Sequence, residues 1–175
     1  MATYNIDAAH SEITFKVKHL MITNVTGRFK KFSGKMESSS DDFSDANIEF
    51  EADIDSIDTN NEQRDGHLRT GDFLDAAQYP KLTFTSTSFD KVADGIYKLN
   101  GDLSIHGVTK SVTMSTELTG TNTDPWGQSK VGFEITGSIH RKDYGMEYNA
   151  ALETGGVLVS DEVKLQLDVQ LVKQA

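Results

Sequence analysis

Val163-Lys164-Leu165-Gln166-Leu167-Asp168-Val169-Gln170-Leu171 alternates apolar and polar residues at every step. Successive side chains on a β-strand point to opposite faces, so this spacing gives one apolar and one polar face. The same period of two recurs upstream. Ile13, Phe15 and Val17 alternate with Thr14, Lys16 and Lys18, and Ile48, Phe50, Ala52 and Ile54 alternate with Glu49, Glu51 and Asp53. Leu82 and Phe84 continue it, then Tyr97, Leu99, Leu103 and Ile105, then Val112, Met114 and Leu118. Val131, Phe133, Ile135 and Ile139 form another set, and the last strand carries Val157 and Val159 before Val163. With residues 27–36 counted, about eight amphipathic strands result, the pattern of antiparallel sheet.

Turn residues separate the strands: Asp94-Gly95, Gly107, Thr123-Asp124-Pro125-Trp126-Gly127 and Gly155-Gly156. No helical pattern recurs between strands, which argues against a βαβ architecture. One stretch, residues 59–79, lacks alternation. There Thr59 and Glu62 have capping-box spacing, Leu68, Phe73, Leu74 and Ala77 can form an apolar stripe, and Pro80 closes the segment. Gly66 and Gly71 limit it to two short helical turns. The expectation is one all-β domain over residues 1–175. It is an eight-stranded antiparallel barrel with a short helical insertion, a two-sheet sandwich being the competing solution. A barrel of about eight strands can hold one small ligand.

Composition narrows the function. The chain has 17 Lys plus Arg against 27 Asp plus Glu, a net charge of −10, which argues against nucleic-acid binding through phosphates. The absence of cysteine removes disulfides, thiolate metal sites and cysteine nucleophiles. No apolar run is long enough to span a bilayer. Residues 1–10 lack the basic-then-apolar order of a signal peptide, so the expected location is cytoplasmic, or periplasmic if a leader has been removed. Charge is segregated: residues 13–36 hold six bases and no acid, whereas residues 37–65 hold 11 acids and one base. Paired neighbouring strands would explain this.

Catalytic and metal signals are weak. No G-x-S-x-G elbow occurs, and His10, His19, His67, His106 and His140 make no H-x-x-x-H pair. His19 shares the parity of Ile13, Phe15 and Val17 and so points inward, where it can be a rim histidine, a base or a haem ligand. Phe15, Phe29, Phe50, Phe84 and Phe133 also face inward; they can fill a solid core or line a cavity.

Several blocks resemble the YceI-like family. Asp7-Ala8-Ala9-His10-Ser11-Glu12-Ile13-Thr14-Phe15 opens the match, and Val25-Thr26-Gly27-Arg28-Phe29 follows. Arg64-Asp65-Gly66-His67-Leu68-Arg69, Tyr79-Pro80-Lys81-Leu82-Thr83-Phe84 and Gly101-Asp102-Leu103-Ser104-Ile105-His106-Gly107 continue it. Asp124-Pro125-Trp126-Gly127 and Ile139-His140-Arg141-Lys142-Asp143-Tyr144-Gly145 complete it. The resemblance implies a lipocalin-like barrel that binds, carries or sequesters an isoprenoid-type or other long-chain amphiphilic lipid. It implies no catalysis and no cofactor, and it implies a homodimer.

The lipid tail would run along Ile13, Phe15, Val17, Phe29, Phe50 and Ile54, and along Phe84, Leu99, Met114, Phe133 and Ile135. The head would sit at a rim near His19, Arg64, Asp65 and His67. For Arg64, Asp65 and His67 the competing role is an internal ion pair that pins the helical insertion; for Arg141–Gly145 it is a structural turn. Two alternatives stand beside the carrier: an enzyme or haem protein using His19 in the same cavity, and a solid barrel that binds a protein partner.

Overall fold

A computed structural model of the chain describes residues 1–148 and 159–175. The strands are β1 (Ala2–Ile6), β2 (Glu12–His19), β3 (Thr23–Phe29), β4 (Phe32–Ser38), β5 (Asn47–Asp53) and β6 (Ile57–Asp58). After helix α1 (Glu62–Leu68) come β7 (Lys81–Ala93), β8 (Ile96–Ile105), β9 (Val108–Thr123), β10 (Ser129–His140) and β11 (Glu162–Lys173). Val157 and the Gly155-Gly156 turn lie outside the described residues.

These segments make eight strands because three strands are broken. A 3₁₀ turn at Ala8–His10 separates β1 from β2, and both pair with β11: Tyr4 lies opposite Lys173 and Phe15 opposite Leu165. A corner at Lys30-Lys31 separates β3 from β4, and a 3₁₀ turn at Ile54–Ser56 separates β5 from β6. Each strand pairs antiparallel with its neighbours in sequence. The β1–β11 pairing joins the last strand to the first. Closure leaves one continuous sheet, so the architecture is the expected barrel and not a sandwich.

Two local expectations are corrected. Ile54 does not continue the alternating strand; it begins the 3₁₀ turn and packs at 1% exposure. Thr59 does not cap the helix. Asn61 does, its side-chain oxygen accepting from the Arg64 N–H at 3.0 Å. Asn60 at φ 65° turns the chain between Thr59 and α1, so Thr59 faces the interior instead.

The charge segregation is partly explained by pairing. Lys35 lies 3.3 Å from Glu37 and 3.8 Å from Glu49, and Lys30 lies 3.0 Å from Asp58. Such exposed pairs each contribute about 0–1 kcal/mol. β2, however, neighbours β11 and not the acidic segment, so Lys16 lies opposite Lys164.

The barrel has two unlike ends. At one end the loop after β4 turns inward. Phe43 packs edge-on to Tyr4 at 5.7 Å and to Phe133 at 5.8 Å between ring centroids. Phe89 stacks on Tyr97 at 4.4 Å beside them, and the Tyr97 hydroxyl donates to the Asp42 carbonyl. These rings plug that end. The other end carries the β2–β3 hairpin tip, α1 and the segment after β10. No described helix is long and apolar enough to cross a membrane.

Candidate functional site

The barrel encloses a cavity of about 400 Å³. That lies in the range of small-molecule sites. Its wall is built by strand parity. β2 contributes Ile13, Phe15, Val17 and His19, β3 contributes Phe29, and β5 contributes Phe50. Phe84, Leu99, Met114, Phe133 and Ile135 line it from β7 to β10. Leu165, Leu167 and Val169 of β11 complete the wall at the positions given by their alternation. Phe15, Val17, Phe50, Ile135 and Leu165 face inward yet stay only half-buried, because they border open space. The interior is therefore not a solid core.

Polar groups gather where the wall meets solvent. Arg64 and His67 project from α1, beside His19 at the end of β2. The Arg64 Nε donates to the Thr59 hydroxyl at 2.7 Å and one Nη donates to the Thr59 carbonyl. His67 is 2.8 Å from Asp72 and meets Phe73 and Tyr148 edge-on, at 5.1 and 4.9 Å between ring centroids. Deeper in the wall, the Thr116 hydroxyl is buried without a hydrogen-bond partner among the described residues.

Two expected site residues sit elsewhere. Ile54 is buried in its 3₁₀ turn and is absent from the wall. Asp65, 2% exposed, is not among the cavity-lining residues; it accepts from the Thr59 N–H at 2.9 Å and from the Thr59 hydroxyl. Helix neighbours diverge by about 100° around the axis, so Arg64 can reach the rim while Asp65 faces inward toward Thr59. The two meet through Thr59 and form no direct ion pair.

Sequence reading missed part of the rim. Arg141, 4% exposed, lines the cavity and lies 5.8 Å from the Phe73 ring centre. Its guanidinium donates to the carbonyls of Ser160, Met146, Tyr148 and Val159. Burial pulls it below its ordinary value, with Asp161 acting in the opposite direction. The 3₁₀ turn Arg141–Tyr144 ends at Gly145 with φ 76°, so this block is a structural turn that also delivers a buried cation to the rim. Leu68, Phe73, Leu74, Met146 and Tyr148 line the same end. The apolar stripe Leu68–Phe73–Leu74 was the available signal. Nothing in strand periodicity marks Arg141 or Tyr148. Among the described residues, no cluster of three or more His, Cys, Asp or Glu side chains could hold a metal ion.

A closed eight-stranded barrel around an apolar cavity, with cationic and aromatic groups at one end, defines a lipocalin-like small-ligand barrel. The chain matches the YceI-like domain over residues 4–171 and belongs to that family. It is 37% identical over 171 residues to a UPF0312 protein of Staphylococcus aureus, covering 97% of each chain. A YceI protein of Campylobacter jejuni superposes with a TM-score of 0.79 at 30% identity, over 90% of both chains. A polyisoprenoid-binding domain from Saccharophagus degradans superposes with a TM-score of 0.70 over 96% of this chain and 97% of its own, and at 20% identity it establishes the shared fold.

Proposed function

We propose that this protein binds and carries an isoprenoid-type or similar long-chain amphiphile, tail in the barrel and head at the Arg64–His67 end, and that it is not an enzyme. The observation that carries this reading is the enclosed cavity of about 400 Å³ with polar groups concentrated at one end. Burial of apolar surface at roughly 25 cal/mol per Å² supplies affinity without charge along the tail. Arg64, Arg141 and His19 then favour a head that accepts hydrogen bonds or carries negative charge. A polyisoprenoid-binding domain of the same fold supports the choice of ligand class.

The test is native mass spectrometry of freshly purified protein, followed by organic extraction. A co-purifying prenyl lipid or other long-chain amphiphile is the expected result. Phe15→Arg places an unpaired cation in the apolar wall, and the folded variant should retain no lipid. A wild-type chain that emerges empty and binds no long-chain amphiphile added at micromolar concentration would sink the proposal.

A further inference from the structure

The β2–β3 hairpin ends in three consecutive exposed apolar residues. Leu20, Met21 and Ile22 are 38%, 51% and 80% exposed. The Ile22 N–H donates to the His19 carbonyl at 3.1 Å, with Leu20 at φ 56° and Met21 at φ 57°. Two positive φ angles in a two-residue turn suit Asn-Gly, not Leu-Met. The chain thus places bulky apolar side chains in an unfavourable backbone conformation at an exposed turn. His19, next to this turn, lines the cavity, so the tip stands at the polar end of the barrel.

The outer face below the tip is positive. Lys16 and Lys18 lie on β2, and Lys164 lies directly opposite Lys16 on β11. All three are exposed, and none has an ion-pair partner among the described residues. Lys30, Lys35, Lys81, Lys91 and Lys130 each have at least one, whereas Lys31, Lys98, Lys110, Lys142 and Lys173 also have none among the described residues; what sets Lys16, Lys18 and Lys164 apart is that they cluster below the apolar tip. Glu162 shares the outer face of β11 but pairs with none of the three. Directly opposed like charges weaken a sheet, so the Lys16–Lys164 pairing adds no cross-strand attraction. An apolar tip flanked by cations, in a chain of net charge −10, matches an anionic bilayer surface: the side chains enter the headgroup region and the lysines meet lipid phosphates.

We propose that the Leu20-Met21-Ile22 tip, with Lys16, Lys18 and Lys164, docks the polar end of the barrel on an anionic lipid bilayer. This concerns the outer surface and stands whether or not the cavity holds a lipid. Cargo retention, measured by extraction, fails or succeeds separately.

The test is co-sedimentation with vesicles of phosphatidylcholine, alone or mixed equally with phosphatidylglycerol. Wild-type protein should sediment with the anionic vesicles only, and should be released as salt rises from about 0.1 M to about 0.5 M. Each of Lys16→Ser, Lys18→Ser and Lys164→Ser should weaken binding roughly five-fold. Leu20→Asn with Met21→Gly and Ile22→Thr gives the turn its preferred residues. This variant should fold at least as well as wild type and lose vesicle binding. Trp126, 84% exposed in the β9–β10 turn at the plugged end and the chain's single tryptophan, should keep its emission maximum when vesicles are added. Undiminished binding by the folded hairpin variant, or a blue shift of Trp126, would overturn the proposal. So would a wild-type dimer that the hairpin variant breaks while neither binds vesicles, since the tip would then be a contact between copies.

Discussion

A cavity survives inside this barrel partly because of its inward glycines. Gly27 lies opposite Phe15 in the β2–β3 register, and a Cβ built on it would meet the Phe15 ring at 2.2 Å. A Cβ on Gly101, diagonal to Phe84 across the β7–β8 pair, would meet the Phe84 ring at 2.4 Å, and one on Gly137 the Met114 side chain at 2.7 Å. Each missing Cβ lets a large side chain lie flat on the wall instead of projecting across the lumen. Gly27→Ala should therefore swing Phe15 toward the cavity. We expect at least several-fold weaker uptake of a fluorescent fatty-acid probe, with a stability loss of about 1–3 kcal/mol by urea denaturation. Phe15→Leu in the same chain should restore much of both. The parity of Phe15, Phe84 and Met114 was legible in the sequence, because alternation is a property of the strand itself. Their apposition to glycines was not, because it depends on register between strands.

At the scale of elements, short turns position the rim. Thr59 ties α1 to the end of β6 by serving Arg64 and Asp65 together, and the Arg141 guanidinium gathers four backbone carbonyls. The same 3₁₀ turn buries Tyr144 to 1% exposure, its hydroxyl lacking a hydrogen-bond partner among the described residues. Burial pushes its phenol up to about 12, with Asp143 adding to the effect. The folded state therefore holds this proton where the unfolded chain, with an ordinary phenol near 10, releases it. Below that ordinary value both states are protonated and pH has no effect through this group. Between about 10 and about 12 the folded state binds more protons, so stability falls as pH rises. Tyr144→Phe should flatten that loss in urea titrations across the window, leaving the part due to Tyr97, whose phenol burial also raises. At neutral pH the substitution should lie within about 1 kcal/mol of wild type, since no hydrogen bond is lost. The three strand breaks belong to this scale too. A 3₁₀ turn as short as Ile54–Ser56 interrupts a strand without a proline or glycine to announce it, so Ile54 reads as one more alternating residue.

At the scale of the whole molecule, closure and cavity volume are linked. Eight strands set a lumen that large side chains can fill, and here the inner faces leave about 400 Å³. A ligand in this lumen covers apolar wall. A ligand that binds only the folded barrel must stabilise it, by about 2.7 kcal/mol at a hundred-fold excess over Kd. Delipidated protein should accordingly melt several degrees below the freshly purified form and recover on adding a long-chain amphiphile. Equal melting temperatures for the two forms would mean that extraction removed nothing bound to the native state.

The sequence by itself determined the strand period, and with it the all-β class, the inward parity of Phe15, Phe84, Phe133 and their neighbours, and the poor fit to nucleic-acid binding or thiolate chemistry. These follow from local spacing and from composition. The tertiary structure alone decided that the sheet closes, that the interior stays open, and that Arg141 and Tyr148 join Arg64, His67 and His19 at one end. Closure needs β1 to pair with β11 at the far end of the chain, as Tyr4 does with Lys173. Cavity volume depends on the summed volume of side chains from every strand across one lumen. Neither quantity has a local signature, because both are set by how distant segments meet.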